Sequence, residues 1–380
     1  MNQSIYEKIV YLRDYCRNPI EIVHTKKQIR RILKKEKKQI DFGTKSVEID
    51  WKYWKNVILH FATANSENAL IIADRLQNDK LFLKKYREMS EADEPIYICI
   101  VKNDLQRIQK SYEYHKKLGI KNFVFIDNNS DDGTYEWLLE QDVCVIWTEA
   151  QFCSSAKSAW LLMTMLLFGF DRWYLILDSD ELLTYPGCES HGIDELVHYL
   201  EENHSYRLLS FMLDMYANKK LSEIDQITEW DYNDYCYFDR DSYKKMNNLH
   251  FQKIIGGPRK RVFNNVDDNS MVMIQNKYPL VYMKMGELYR YHYVYPYYHN
   301  FDTECISVLR HYKFLPGDLK KYEVIAQNGN YANGSQLYKE SLNKIAEDKD
   351  MTFWYVDSIK YNSSDDLLML DFVKKIEWTT

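Results

Sequence analysis

Between residues 95 and 177 the chain alternates short, wholly apolar runs with longer stretches of helical spacing. The runs at 96–101, 123–126, 143–147 and 173–177 have the length and composition of buried strands. Helices are predicted over 104–118, closed by Gly119, then through Trp137 and Leu139, then over 154–168. The last of these is mostly apolar and so expected to be buried. This alternation predicts a parallel sheet flanked by helices, because parallel neighbours need a crossover between them. Before residue 95 the pattern reads as helices only, at 5–16, 21–40, 51–61 and 67–88. After Glu181 it loosens into a helix at 193–202, a strand at 206–212 ending at Asp214 and a polar, aromatic insertion over 223–247. Helices are expected again within 318–348 and 365–378. Asp93-Glu94-Pro95 punctuates the chain. The expected organisation is an N-terminal helical region (1–94), an α/β domain (95–317) and a C-terminal helical region (318–380).

Composition narrows the class. A chain of 380 residues, 46% of them apolar, can bury a large core. The net charge of −6 gives no bulk attraction to nucleic acid, and none is expected as a partner. Seven scattered cysteines without a C-x-x-C pair read as reduced thiols, not as a zinc site or disulfide framework. The N-terminal residues MNQSIYEKIVYLRDYCRN carry charges where a signal peptide has its apolar stretch. The longest apolar segment, 159–170, is too short to span a bilayer. These features lead to the expectation of a soluble or peripheral cytoplasmic protein. Charge is unevenly spread, however. In the 21–40 helix, Ile22, Ile29, Leu33 and Ile40 can share a face, and Lys26, Lys27, Arg30, Arg31, Lys34, Lys35, Lys37 and Lys38 crowd the remainder. Either this basic surface touches the inner face of the cell membrane, or it is a solvated face whose apolar stripe packs on the main domain.

The candidate chemistry lies where strands stop. The run at 173–177 ends abruptly at Asp178, Asp180 and Glu181, and the run at 123–126 ends at Asp127. In open α/β sheets ligands bind beyond the carboxyl ends of the strands. Clustered carboxylates repel one another unless a cation lies among them, and all-oxygen ligands suit Mg2+ or Mn2+. The alternative is a solvated turn that caps a following element. Arg259, Arg261, His311 and Lys313 are later basic groups able to neutralise phosphates. Neither a Walker-type loop nor G-x-G-x-x-G occurs, so phosphates would be held by metal and side chains. A nucleotide diphosphate with its metal ion would use all of these groups.

The ordered residues carry a resemblance. Lys102-Asn103-Asp104, then Tyr114-His115-Lys116-Lys117-Leu118-Gly119, then Ile126-Asp127-Asn128-Asn129-Ser130-Asp131-Asp132-Gly133-Thr134, then Leu177-Asp178-Ser179-Asp180-Glu181 resemble a family 2 glycosyltransferase. Within that family they are similar to the bacterial branch with a K-N-E start, a D-N-x-S-x-D-G-T turn and a D-x-D-E motif. The resemblance continues through Leu213-Asp214-Met215-Tyr216, the segment from Gly256 to Arg261 and that from His311 to Leu315. It covers about residues 95–338. Asp104 stands where the family often has Glu, and the usual Glu-Trp of the first helix is missing.

What the resemblance implies is a GT-A fold, a Rossmann-like mixed sheet flanked by helices, with helices added at both ends. It implies an inverting, metal-dependent glycosyltransferase. The donor would be a UDP-sugar or another nucleotide-diphosphate sugar, and the acceptor a glycan or lipid-linked molecule in cell-surface polysaccharide synthesis. Asp127 and Asn103 would bind the nucleotide, and Asp178 and Asp180 would frame Mn2+ or Mg2+ and the diphosphate. His311 would complete the metal site, with Lys313 near the phosphates. An inverting transfer needs a base; Asp214 is the first choice and Glu287 the second. The rival readings are a nucleotidyltransferase on a related fold, which usually carries a glycine-rich loop after the first strand, and a non-catalytic sugar- or partner-binding module.

Overall fold

The four apolar runs become the parallel strands of one sheet. They are β2 (Ile96–Val101), β3 (Asn122–Asp127), β4 (Cys144–Trp147) and β5 (Arg172–Ile176). Two edge strands, β1 (Phe82–Lys85) and β9 (Leu280–Met283), pair antiparallel, giving the order β9-β5-β2-β3-β4-β1. Because β3 and β5 both run parallel to β2, their carboxyl ends share one edge. Every residue of β3 and β5 is buried, as expected of strands covered on both faces. The computed structural model describes residues 8, 12–14, 16–89, 94–247, 252–263, 274–297, 304–329 and 332–378.

The sheet belongs to the first of two compact units, formed by Met1–Ile108, Ile120–Asp178 and Leu280–Asp302. Helices α1 (Pro19–Ile32), α2 (Trp51–Ala64) and α3 (Ser66–Asn78) pack on one another in this unit, and α3 packs on α6 (Ser154–Phe168). Nearly all of α6 is buried, and Trp160 donates its indole N–H to Asp79 at 2.7 Å. The helix α5 (Thr134–Glu140) follows the turn after β3.

The second unit comprises Gln109–Gly119, Ser179–Pro279 and Thr303–Thr380. Its sheet has the order β8-β7-β10-β6, with β6 at Glu181–Thr184, β7 at Leu209–Asp214, β8 at Asn276–Lys277 and β10 at Cys305–His311. β10 is parallel to β7 and antiparallel to β6, so His311 registers with both Asp214 and Glu181. The helix α4 (Leu105–Lys117) begins in the first unit and ends in the second. The helices α7 (Ile193–Glu202), α8 (Pro258–Phe263), α9 (Asp318–Asn328) and α10 (Ala332–Glu347) belong to the second unit.

Several expected helices are shorter than their patterns. The 21–40 helix stops at Ile32, and Gln39–Asp41 instead pairs with Ser46–Glu48. Lys26 with Arg30 and Lys27 with Arg31 are already like-charged neighbours at i, i+4, and continuing the helix would add Arg31 with Lys35 and Lys34 with Lys38. The 67–88 helix stops at Asn78, and Phe82–Lys85 joins the sheet. The 318–348 span divides at Gly329, whose φ of 64° ends α9. Residues 365–378 contain only the short 3-10 helix Ser364–Met369, not a long helix. The helix expected at 5–16 lies largely outside the described residues, as does Asp93 of the expected boundary. Among the described residues no helix is long and apolar enough to cross a membrane. All seven cysteines are free thiols.

Candidate active site

The first unit gathers its polar groups at the carboxyl edge of the parallel strands. Asp127, the last residue of β3, is fully buried, and its Oδ1 accepts from the backbone N–H of Ser130 at 3.0 Å. Its Oδ2 is buried without a hydrogen-bond partner. Burial pushes its pKa up, against the hydrogen bonds from Ser130 and Asn129 that favour the carboxylate. An orphaned carboxylate oxygen in the interior is costly, and a donor from a ligand would satisfy it.

The turn that follows is tied to the end of β2. Asn103, left-handed at φ 52°, donates its side-chain amide to Asp131 at 2.7 Å and accepts from the Asp131 N–H at 2.9 Å. Asp132 accepts from the N–H groups of Leu105 and Thr134. Asn103 therefore holds the turn's shape, whereas the resemblance assigned it to substrate. Asp178 follows β5 on the same edge and makes an ion pair with Lys157 of α6. Lys157 is the only charged side chain in α6 and is 7% exposed. Sequence reading passed it over, although a lone charge in an apolar helix signals a buried partner. Glu287 also lies in this unit, where it is buried and accepts from the Lys284 N–H at 2.9 Å, closing its own turn.

In the second unit the ladder itself assembles the cluster. Continuing the β10–β6 pairing, the Tyr312 N–H donates to the Asp180 carbonyl at 2.9 Å. His311 Nδ1 lies 2.6 Å from Asp214 Oδ1, and its Nε2 lies 3.7 Å from Asp180 Oδ2. A carboxylate only accepts, so Nδ1 donates to Asp214 while Nε2 faces Asp180. Asp214 Oδ2 accepts from Arg259 Nε at 2.7 Å, and Arg259 also reaches Gln275 at 3.3 Å. Burial opposes ionisation of Asp214, but Arg259 and His311 outweigh it and hold its carboxyl below the usual range. Lys313 donates to Asp180 Oδ2 at 2.6 Å; burial disfavours its charge, yet Asp180 holds its pKa well above the ordinary value.

Gly256 and Gly257, at φ 107° and 96°, bring the chain into α8 and place Arg259 at Asp214. A side chain on Gly256 would put its Cβ 2.2 Å from the Ser242 carbonyl oxygen, so that corner requires glycine. Arg261 departs from its expected role. Its fork closes on the fully buried Asp239 with two 2.9 Å bonds and donates to the Phe353 carbonyl at 2.6 Å, so it is spent inside the fold. Glu181 likewise pairs in the interior, with Lys277.

Among the described residues no group of three or more His, Cys, Asp or Glu side chains is arranged to hold a metal ion. The chemistry of the donors present nevertheless suits a hard divalent ion. Mg2+ in particular is commonly held by one or two carboxylates, with substrate phosphates and waters completing its shell. In the second unit, Asp180 Oδ2 and His311 Nε2 lie 3.7 Å apart. No family model matches this chain, and no curated protein matches it.

Proposed function

We propose that the protein is an inverting glycosyltransferase of GT-A type that moves a sugar from a nucleotide-diphosphate donor to a glycan or lipid-linked acceptor. The observation that carries the reading is the cluster at the end of β10, where Asp180, His311, Asp214, Arg259 and Lys313 form one continuous chain of contacts. Acid and base groups in such a chain are suited to an anionic ligand with its cation. The unsatisfied oxygen of Asp127, at the sheet edge where nucleotides bind in open α/β folds, supports the same reading.

In this reading Asp127 accepts a hydrogen bond from the nucleotide. Asp180 and His311 would hold Mn2+ or Mg2+, which when bound offsets the charge developing on the departing diphosphate, and Asp178, on the same sheet edge as Asp127, would contact the donor. Lys313 adds a point charge for the phosphates. Asp214 has one oxygen on Arg259 and one on His311, so it serves as a positioning residue that fixes the His311 ring and not as the base that takes the acceptor's proton.

The test is release of free nucleotide diphosphate from a panel of donors, with Mn2+ or with EDTA, for the parent protein and for Asp178→Asn and Asp180→Asn. Metal-dependent release from one donor, reduced at least about 100-fold in both variants, is the expected result. Release of pyrophosphate instead would replace the reading with nucleotidyl transfer. No release, together with no thermal stabilisation by any donor, would replace it with a binding module.

A further inference from the structure

The helix α1 has two faces of different chemistry. Ile22, Thr25 and Ile29 are buried against the other helices of the first unit. On the opposite side Ile20, Val23, Lys27, Arg30 and Arg31 recur at i, i+3, i+7, i+10 and i+11, the spacing of a single helical face. Ile20 is 83% and Val23 55% exposed, so two aliphatic side chains one turn apart stand in solvent on this face. Lys27, Arg30 and Arg31 are exposed beside them, and exposed Lys34 and Lys35 extend the charge past the helix end. Among the described residues none of these five cations takes part in an ion pair or hydrogen bond through its side chain. Glu21, the acid of the first turn, is engaged by Asn18 at the N-cap.

We propose that this outer face of α1 docks on an anionic phospholipid surface. Ile20 and Val23 enter the headgroup boundary while Lys27, Arg30, Arg31, Lys34 and Lys35 meet lipid phosphates. Charge complementarity selects this occupant. The chain as a whole is negative, at −6, so a positive face with aliphatic side chains at its start is a local feature and not part of a general basic surface. The inner face is already packed, so docking requires no unfolding of the helix. The proposal does not depend on the catalytic reading.

The experiment is co-sedimentation of the full chain with vesicles of phosphatidylcholine alone and of phosphatidylcholine mixed with phosphatidylglycerol. The parent should partition onto the anionic vesicles and not the neutral ones, and raised salt should release it. Replacing Lys27, Arg30 and Arg31 together by Gln should weaken partitioning on the order of 100-fold. Ile20→Ser with Val23→Ser should weaken it roughly tenfold at unchanged charge. All of these side chains are exposed, so melting temperatures should match the parent. Lys116→Gln with Lys117→Gln, also exposed, removes charge elsewhere and should leave partitioning unchanged. The proposal is overturned by any one of three results: no anionic partitioning, equal partitioning onto neutral vesicles, or equal loss in the Lys116/Lys117 control.

Discussion

Asp127 keeps one oxygen in the interior without a partner, and that cost has a measurable sign. Its folded pKa is raised by burial, so ionisation destabilises the fold once pH passes the unfolded value near 4. Stability on its account is full below about pH 4 and declines as pH rises to the folded pKa. Urea midpoints measured against pH should therefore lose this slope in Asp127→Asn, and under the proposed function the same variant should weaken nucleotide binding. Asp214 has the opposite sign. Arg259 and His311 depress its pKa, so its contribution is present above the unfolded value near 4 and disappears as pH falls through the folded one. Asp214→Asn leaves Arg259 without its carboxylate and should cost about 3–5 kcal/mol near pH 7, with a shallower acid limb in the same titration. That Asp127 and Asp214 stand at strand ends was legible from the apolar runs before them. That one has a spare oxygen and the other has none was not, because partner choice is a matter of atoms distant in sequence.

The elements were legible to the extent that their signals are local. β2, β3, β4 and β5 lie where short apolar runs predict them, because strands buried on both faces need nothing but apolar residues. The strand Phe82–Lys85 was hidden inside an apparent helical pattern, and its identity comes from pairing with β4 at the sheet edge. The corner at Gly256 is an element-scale feature with a single-residue test. An Ala there meets the Ser242 carbonyl at 2.2 Å and holds a positive φ, so Gly256→Ala should cost about 2 kcal/mol or more in urea unfolding. Because the same corner aims Arg259 at Asp214, the variant should also weaken the donor turnover proposed above.

At the scale of the whole molecule, a donor product that binds only the folded chain should raise its thermal midpoint. Under the proposed glycosyl transfer, UDP with Mn2+ at about 100 times its Kd should add about 2.7 kcal/mol, and EDTA or Asp180→Asn should abolish the shift. The sequence by itself determined that the chain is α/β, where the parallel strands run and that carboxylates stand at their ends, since apolar run length and chain punctuation are properties of neighbouring residues. Only the tertiary structure decided which charges neutralise one another: Lys157 with Asp178, Lys313 with Asp180, Arg259 with Asp214 and Arg261 with Asp239. Each pair joins residues about 20 or more positions apart, brought together by strand register and helix packing, and a one-dimensional pattern holds no information about which of many cations meets which carboxylate.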